Sequence, residues 1–305
     1  MKKATREAYG VALAELGKSN DKIVALDADL SGSTKSADFK KVFPERFFNV
    51  GIAEQNLIGM AAGMANVGLI PFASTFAMFA TGRAYEQVRN SVAYPHLNVK
   101  IVGSRSGLTV GEDGATHQAL EDISLMRGIP GMVVLVPSDA TETTEAIKAA
   151  AAYVGPVYIR TGRMAVEDIH PDGCNFQIGK GEVLKDGNDV AIIATGICVK
   201  MALDAASTLE EEGIKARVIN MSTIKPIDEE LILKAAKECG KIVTVEEHSI
   251  IGGLGSAVSE VVTSHHPVIV KRVGIKDEFG QSGKPQDLLI EYGLNPEAII
   301  EAVKN

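Results

Sequence analysis

Gly111-Glu112-Asp113-Gly114-Ala115-Thr116-His117-Gln118 packs two glycines, two carboxylates and a histidine into eight residues. Upstream, Val99 to Val102 reads as a buried strand. Downstream, a helical pattern leads into Met132 to Val136, a second apolar strand. A polar, glycine-punctuated turn that follows a buried strand is where open α/β sheets place ligands. The other reading is a solvated loop with a helix-capping Asp or Thr, and spacing alone leaves both open.

The pattern around this turn alternates strand and helix. Strands are expected at Ile23 to Leu26, Phe47 to Val50, Leu69 to Ala73, Val99 to Val102, Met132 to Val136 and Val157 to Ile159. Helices are expected at Arg6 to Leu16, stopped by Gly17, at Glu54 to Val67, closed by Gly68, and at Phe76 to Tyr94, before Pro95. The strands are near-continuous apolar runs, which implies a parallel sheet covered on both faces. A second α/β pattern follows. Its strands are Val190 to Ala194, Ala216 to Asn220, Ile242 to Val245 and Val268 to Val273. Its helices are Met201 to Glu212, Glu229 to Glu238, Ser256 to Ser264 and Gln286 to Tyr292. Between the two, Pro171, Asp172-Gly173 and Asp186-Gly187-Asn188 mark a linker with a short hairpin. The expected fold class is α/β, with two α/β domains of mainly parallel sheets covered by helices. The expected boundaries are 1–165 for the first domain, 166–188 for the linker and 189–305 for the second domain.

The net charge of −8 argues against a nucleic-acid surface, and any phosphorylated ligand must be met by local cations. Cys174, Cys198 and Cys239 are far apart, form no Cys-x-x-Cys pair and suit a reducing cytosol. No apolar run reaches membrane-spanning length, and the charged N-terminal stretch does not read as a secretory leader, so a cytoplasmic location is expected. Gly252-Gly253-Leu254-Gly255 follows a strand and opens a helix, as a dinucleotide loop does. Val258 stands where the third glycine belongs, and no acidic residue ends a strand about twenty residues on, so these glycines read as close-packing positions.

The Gly111–Gln118 run, continued through Glu121, Ser124 and Arg127, resembles a signature of transketolases. Further segments resemble the same family in the same order. These are Ala4-Thr5-Arg6-Glu7-Ala8, Ala28-Asp29-Leu30, Gly51-Ile52-Ala53-Glu54-Gln55 and Ser74-Thr75-Phe76-Ala77-Met78-Phe79. The resemblance covers nearly the whole chain and is to the C-terminal section of a transketolase, the pyrimidine-binding domain plus the C-terminal domain. It implies thiamine diphosphate as cofactor, with Asp29, Leu30, Glu54, Phe76 and Phe79 on the cofactor side. Glu54 and His117 would be catalytic. Arg6, Ser33, Arg105, Asp113, His117 and Arg163 would bind the substrate, with the arginines and Ser33 gripping its phosphate.

The residue types suit that chemistry. Thiamine diphosphate is an electron sink, and a carboxyl on N1′ of its aminopyrimidine makes the imino tautomer accessible, which removes the reactive proton at C2. Glu54 opens an otherwise apolar helix, where its carboxyl would be desolvated and suited to sharing a proton. On spacing alone it reads rather as an acidic residue complementing a helix dipole, and the resemblance is what favours catalysis. Phe76 and Phe79, three apart on one expected helical face, read as core or as stacking partners for a flat ring. Where the family has a further aromatic the chain has Gly82, which leaves the expected pocket more open. His117 stands one turn after Asp113 in a glycine-freed loop and by resemblance assists proton transfer at the ketose oxygens, while Asp113 binds a sugar hydroxyl. Arg105 replaces the family's usual histidine.

The sequence carries no Gly-Asp-Gly followed by paired asparagines, the family's metal and diphosphate motif. The resemblance therefore implies a split enzyme. An N-terminal subunit would carry that motif and the Mg²⁺ or Ca²⁺ ligands, and this chain would pair with its own copy in a heterotetramer holding two of each chain. The leading expectation is a transferase of the pentose phosphate type, moving a two-carbon ketol unit from a ketose phosphate to an aldose phosphate. The alternatives are a 1-deoxyxylulose-5-phosphate synthase-like enzyme, the β subunit of a 2-oxoacid dehydrogenase, and a non-catalytic assembly subunit.

Overall fold

In a computed structural model, which describes residues 2–305 and so leaves Met1 of the expected first domain outside the description, the apolar runs separate into two parallel sheets. In chain order the strands are β1 (Lys2–Ala4), β2 (Ile23–Asp27), β3 (Phe47–Asn49), β4 (Ile70–Phe76), β5 (Lys100–Ser104), β6 (Val133–Leu135) and β7 (Val157–Arg160). They continue as β8 (Ala165–Glu167), β9 (Glu182–Lys185), β10 (Val190–Ala194), β11 (Ala216–Asn220), β12 (Thr223–Lys225), β13 (Lys241–Ser249) and β14 (Ile269–Ile275). The first sheet has the order β12-β6-β7-β5-β4-β2-β3 and the second β14-β13-β10-β11-β9. Every pairing within them is parallel except at the two edges, where β12 and β9 run antiparallel.

Both exceptions join distant parts of the chain. β12 lies in the sequence of the second domain yet completes the first sheet, with Thr223 opposite Leu135. Within 166–188 no hairpin forms: β8 pairs with β1, and β9 pairs with β11. The two halves also share a core. One apolar cluster runs from Val24, Leu57 and Ala73 in the first half to Ile193, Ile219 and Leu254 in the second.

The expected helix Phe76 to Tyr94 forms differently. The ladder between β4 and β5 extends to Phe76 opposite Ser104, so Phe76 ends a strand. The chain then winds through π-helical turns at Phe79–Arg83 and Val88–Ala93, around a short helix Tyr85–Gln87. Phe76 and Phe79 therefore do not share a helical face. The helix Ala140–Ala152 was not expected from hydrophobic periodicity; its N-cap Asp139 accepts from the Glu142 amide at 2.7 Å.

The glycine loop before the helix Leu254–His265 has no room for a dinucleotide phosphate. The buried Glu246 carboxylate takes the free amides of Leu254 and Gly255, at 2.7 and 2.8 Å, so the anion site at this helix N-terminus is filled from within the chain. A Cβ on Gly253 would stand 2.0 Å from Glu246 Oε2. Among the described residues no helix is long and apolar enough to cross a membrane.

Candidate active site

Apart from Arg6, in the first turn of the helix Thr5–Ser19, the site residues of the first half leave the carboxyl ends of β2, β3, β4, β5 and β7, the edge where parallel sheets present ligand loops. After β2, the buried Asp27 carboxylate shapes the turn. It accepts from the Leu30 amide at 2.5 Å, from Thr34 Oγ1 at 2.7 Å and from Ser36 Oγ at 2.9 Å. Burial pushes this carboxyl above its usual range, against those bonds. The turn puts Asp29 at a φ of 65°, a conformation that favours Asn, Asp and Gly. Asn49, ending β3, clamps Asp29 through its amide at 2.8 Å and also accepts from the Gly51 amide at 3.0 Å. So Asp29 reaches the entry to Glu54 through Asn49, Leu30 is held instead by Asp27, and no direct hydrogen bond joins either to Glu54 among the described residues.

Glu54 opens the helix Glu54–Asn66 and is 2% exposed. Its surroundings are not purely apolar. Arg83 Nη1 donates to Glu54 Oε2 at 3.0 Å, and the same guanidinium lies 4.6 Å from the centroid of the Phe79 ring. Arg83, next in sequence to the Gly82 expected to leave the pocket more open, thus lies over the Phe79 ring. Phe76 and Phe79 stack with centroids 6.0 Å apart and 20° between planes. The His117 ring meets both edge-on, at 6.3 and 5.5 Å. Thr116 Oγ1 lies 3.0 Å from His117 Nδ1, which leaves Nε2 as the nitrogen free to act.

Beside His117 three guanidiniums converge. Arg6 Nη1 donates to the Ser33 carbonyl at 2.8 Å, and Arg105 Nη2 reaches Ser33 Oγ at 3.4 Å. Arg105 Nη1 also donates to Asp113 Oδ2 at 2.6 Å, and Arg163 Nη1 donates to the Val110 carbonyl at 2.6 Å and to Glu112 Oε2 at 3.1 Å. Burial first, then the Arg105 charge, lowers Arg6 below the ordinary guanidinium range; Glu7 opposes this and Arg163 adds to it. Three like charges this close are a standing repulsion that an anion relieves. The buried Nε donors of Arg6 and Arg105 have no partner among the described residues. Those orphaned donors fit a tetrahedral oxyanion.

The turn Leu108–Asp113 is held from the second half of the molecule. The Thr109 amide donates to Glu247 Oε1 at 2.6 Å, and Gln118 Nε2 donates to the Gln281 carbonyl at 3.0 Å. A cleft of about 450 Å³ adjoins it, lined by Met78 and Thr116 from the first half and Ser249 and Phe279 from the second. The structure brings Glu54, Phe76, Phe79 and His117 into one group and Arg6, Ser33, Arg105, Asp113 and Arg163 into an adjoining one, with Arg105 shared: its guanidinium also lies 4.8 Å over the Phe76 ring. Arg83 was missed from sequence, although an aromatic and a cation four apart, Phe79 and Arg83, is a readable pair.

A buried carboxylate beside an aromatic face fits the pyrimidine half of thiamine diphosphate, and the contacts such a ring would make to Glu54 and Phe79 are held here by Arg83. For the diphosphate half, no group of three or more His, Cys, Asp or Glu side chains is placed to hold a metal ion among the described residues.

The transketolase pyrimidine-binding domain matches residues 1–168, and the transketolase C-terminal domain matches residues 179–299. The chain is 55% identical over 304 residues to a protein of Methanocaldococcus jannaschii described as a transketolase C-terminal section, covering 99% of this chain and 95% of that one. It is 45% identical over 297 residues to the 6-deoxy-6-sulfo-D-fructose transketolase subunit SqwH of a Clostridium species, covering 97% and 92%. Among solved structures, a split-gene transketolase described as an inactive tetramer of beta chains superposes with a TM-score of 0.93. That structure is 56% identical in sequence, and the match covers 99% of this chain and 97% of that one.

Proposed function

This chain belongs to the transketolase family, and from that premise we propose that it is the C-terminal subunit of a split transketolase that moves a two-carbon ketol unit from a ketose phosphate to an aldose phosphate. The observation that carries the reading is the adjacency of the Glu54–Phe79 pocket and the three-arginine pocket, with His117 and Asp113 between them.

Thiamine diphosphate, when bound, supplies the electron sink for the carbanion left on cleaving the ketose. Glu54 holds or shares a proton at the ring nitrogen N1′. Phe76 and Phe79 offer a flat apolar face and keep water from the carboxyl. His117 Nε2 moves a proton at the ketose oxygens. Asp113 accepts from a sugar hydroxyl, and Arg6, Arg105, Arg163 and Ser33 bind the terminal phosphate. Asp29, held by the Asn49 clamp, and Leu30, held by Asp27, line the cofactor side. The Mg²⁺ or Ca²⁺ ligands and the diphosphate donors belong to an N-terminal partner subunit. The active particle holds two copies of each chain and works in the cytoplasm. The tetramer formed by the related split-gene chain, described as inactive, supports both self-association and the need for a partner.

The test is reconstitution. This chain with its N-terminal partner, thiamine diphosphate and magnesium is assayed against a panel of ketose phosphates and 6-deoxy-6-sulfo-D-fructose. Turnover of ketose phosphates by the pair, and none by this chain alone, is expected. Turnover by the chain alone overturns the split reading, and no turnover of any ketose phosphate by the pair overturns the activity.

A further inference from the structure

The Glu54 carboxyl and the Phe79 ring already have an occupant. Arg83 is planar and cationic, it donates an N–H to Glu54 Oε2 at 3.0 Å, and it lies 4.6 Å over the face of Phe79. An aminopyrimidine also has a flat ring edged by N–C–N, and hydrogen bonding to a carboxyl with stacking on an aromatic face are the same two contacts. The partners differ in how firmly they are held. Glu54 is 2% exposed and fixed at the start of a helix, whereas Arg83 is 51% exposed and reaches it from the solvent side. Arg83 is rehydrated when it lets go, so the cost of releasing it falls on the buried Glu54 carboxyl, which a ring must then satisfy.

The backbone is built to bring Arg83 there. Phe79–Arg83 winds as a π-helix, closed by the Ala84 amide on the Phe79 carbonyl at 3.1 Å, and such wide turns are frequent at functional sites. Gly82 makes the turn light. A Cβ there would meet only Met78 Cε, the end of a flexible side chain, at 3.2 Å.

We propose that Arg83 is an internal stand-in for the aminopyrimidine, a positioning residue that keeps the Glu54 carboxyl aimed across the Phe79 face in the unliganded chain and swings out to solvent when a ring takes its place. This rests on the cofactor reading given above. Arg83 then lowers affinity for any ring, and it discriminates against flat rings that cannot replace its hydrogen bond to Glu54.

The experiment uses the full chain and a free aminopyrimidine, 4-amino-5-hydroxymethyl-2-methylpyrimidine, titrated by ligand-observed NMR, which reads weak binding. Arg83→Ala is expected to bind it roughly 2- to 5-fold more tightly than the unsubstituted chain, because the ring no longer has to displace the guanidinium. Adding Glu54→Gln to that variant is expected to remove the gain. Equal, weaker or undetectable binding by Arg83→Ala, with Glu54→Gln still lowering binding to the unsubstituted chain, overturns the role of Arg83 and leaves the cofactor reading standing. Binding that ignores Glu54→Gln in every background overturns both.

Discussion

Arg105 donates to Asp113 at 2.6 Å while its guanidinium lies 4.8 Å over the Phe76 ring. One side chain therefore joins the aromatic floor of the site to its sugar-facing turn. Arg105 reaches both because its φ of 51° turns the chain sharply after β5. Asp113 in turn partly neutralises the arginine cluster in the absence of an anion.

Two effects of Asp113→Asn therefore oppose each other and are separable. Removing the carboxylate frees Arg105, and for a partly exposed pair this amounts to about 0.5–1 kcal/mol. Inorganic phosphate should bind about 2- to 5-fold more tightly. The ketose phosphate loses a charge-assisted hydroxyl contact, so KM should rise about 10-fold. Phosphate titration and steady-state kinetics on the reconstituted pair check both. Weaker phosphate binding would show that Asp113 does not hold Arg105 against the anion.

Arg163 braces the same turn through the Val110 carbonyl and Glu112. If it also grips phosphate, Arg163→Ala raises KM for phosphorylated sugars about one to two decades more than for unphosphorylated ones. Arg163→Lys keeps the charge, loses the fork and falls between. Equal losses on both kinds of sugar would leave Arg163 as a brace alone.

The two sheets were legible because their strands are continuous apolar runs between glycines and polar turns. What was not legible depends on distant partners. β12 is three residues long and exists only because Leu135, almost ninety positions earlier, faces it. Phe76 ends a strand because Ser104 pairs with it, which no helical periodicity reports. The Gly252–Gly255 glycines do pack closely, as their sequence implies, but that the Glu246 carboxylate is what fills the helix N-terminus there depends on a strand partner no local pattern reports. Asp139 and Glu142 did carry a readable capping pattern for the helix Ala140–Ala152, masked by its run of alanines. The proposed site residues came from short ordered motifs, whereas Arg83 carried only its spacing of four from Phe79 and stood outside them.

The halves are joined by a buried charge network whose disruption should be costly. Arg160, 5% exposed, donates from Nε to Asp122 Oδ2 at 2.8 Å and from Nη2 to the Glu247 carbonyl at 2.9 Å. Tyr158 also donates to Asp122, at 2.7 Å, and burial together with that carboxylate holds its hydroxyl far above the usual range. Asp122→Ala leaves Arg160 buried with its nearest countercharge gone and should destabilise the fold by about 3–5 kcal/mol in urea unfolding. Glu247, 4% exposed, also faces Arg160 at 3.8 Å, so Asp122→Leu with Arg160→Met and Glu247→Gln should lie nearer the unsubstituted protein, since together they leave no unpaired buried charge. A loss under about 1 kcal/mol for the single change would assign the stability of this interface to packing.

A second buried network sets a pH dependence. Burial alone would push the His170 imidazole down, but its hydrogen bond to Asp139 at 2.7 Å and the charges of Asp139, Glu142 and Glu182 raise it to about 9. A folded-state value above the unfolded one gives stability that is complete below about pH 6.5 and lost as pH rises through 9. The loss is on the order of 3 kcal/mol across that window. Unfolding free energies at pH 6, 8 and 10 should fall by this amount relative to His170→Gln, which removes the titrating group. Parallel pH profiles for the two proteins would exclude His170 as the source.

The sharpest expectation concerns Glu54, which is 2% exposed at the head of its helix with one oxygen engaged by Arg83. If its carboxyl shares a proton at N1′, Glu54→Gln keeps the shape and most of the hydrogen bonding, so the reconstituted pair should retain its fold and much of its cofactor affinity. A neutral amide cannot take up and return that proton, so kcat should fall by roughly 10² to 10⁴, the range for general acid–base catalysis. A Glu54 that served only the helix dipole would change stability by about 0.3–1 kcal/mol and leave turnover intact. Exchange of the cofactor C2 proton, followed by NMR at saturating cofactor, isolates the step that the carboxyl is proposed to assist. Exchange at the unsubstituted rate, with the fold and cofactor occupancy preserved, would remove Glu54 from the chemistry whatever happened to kcat.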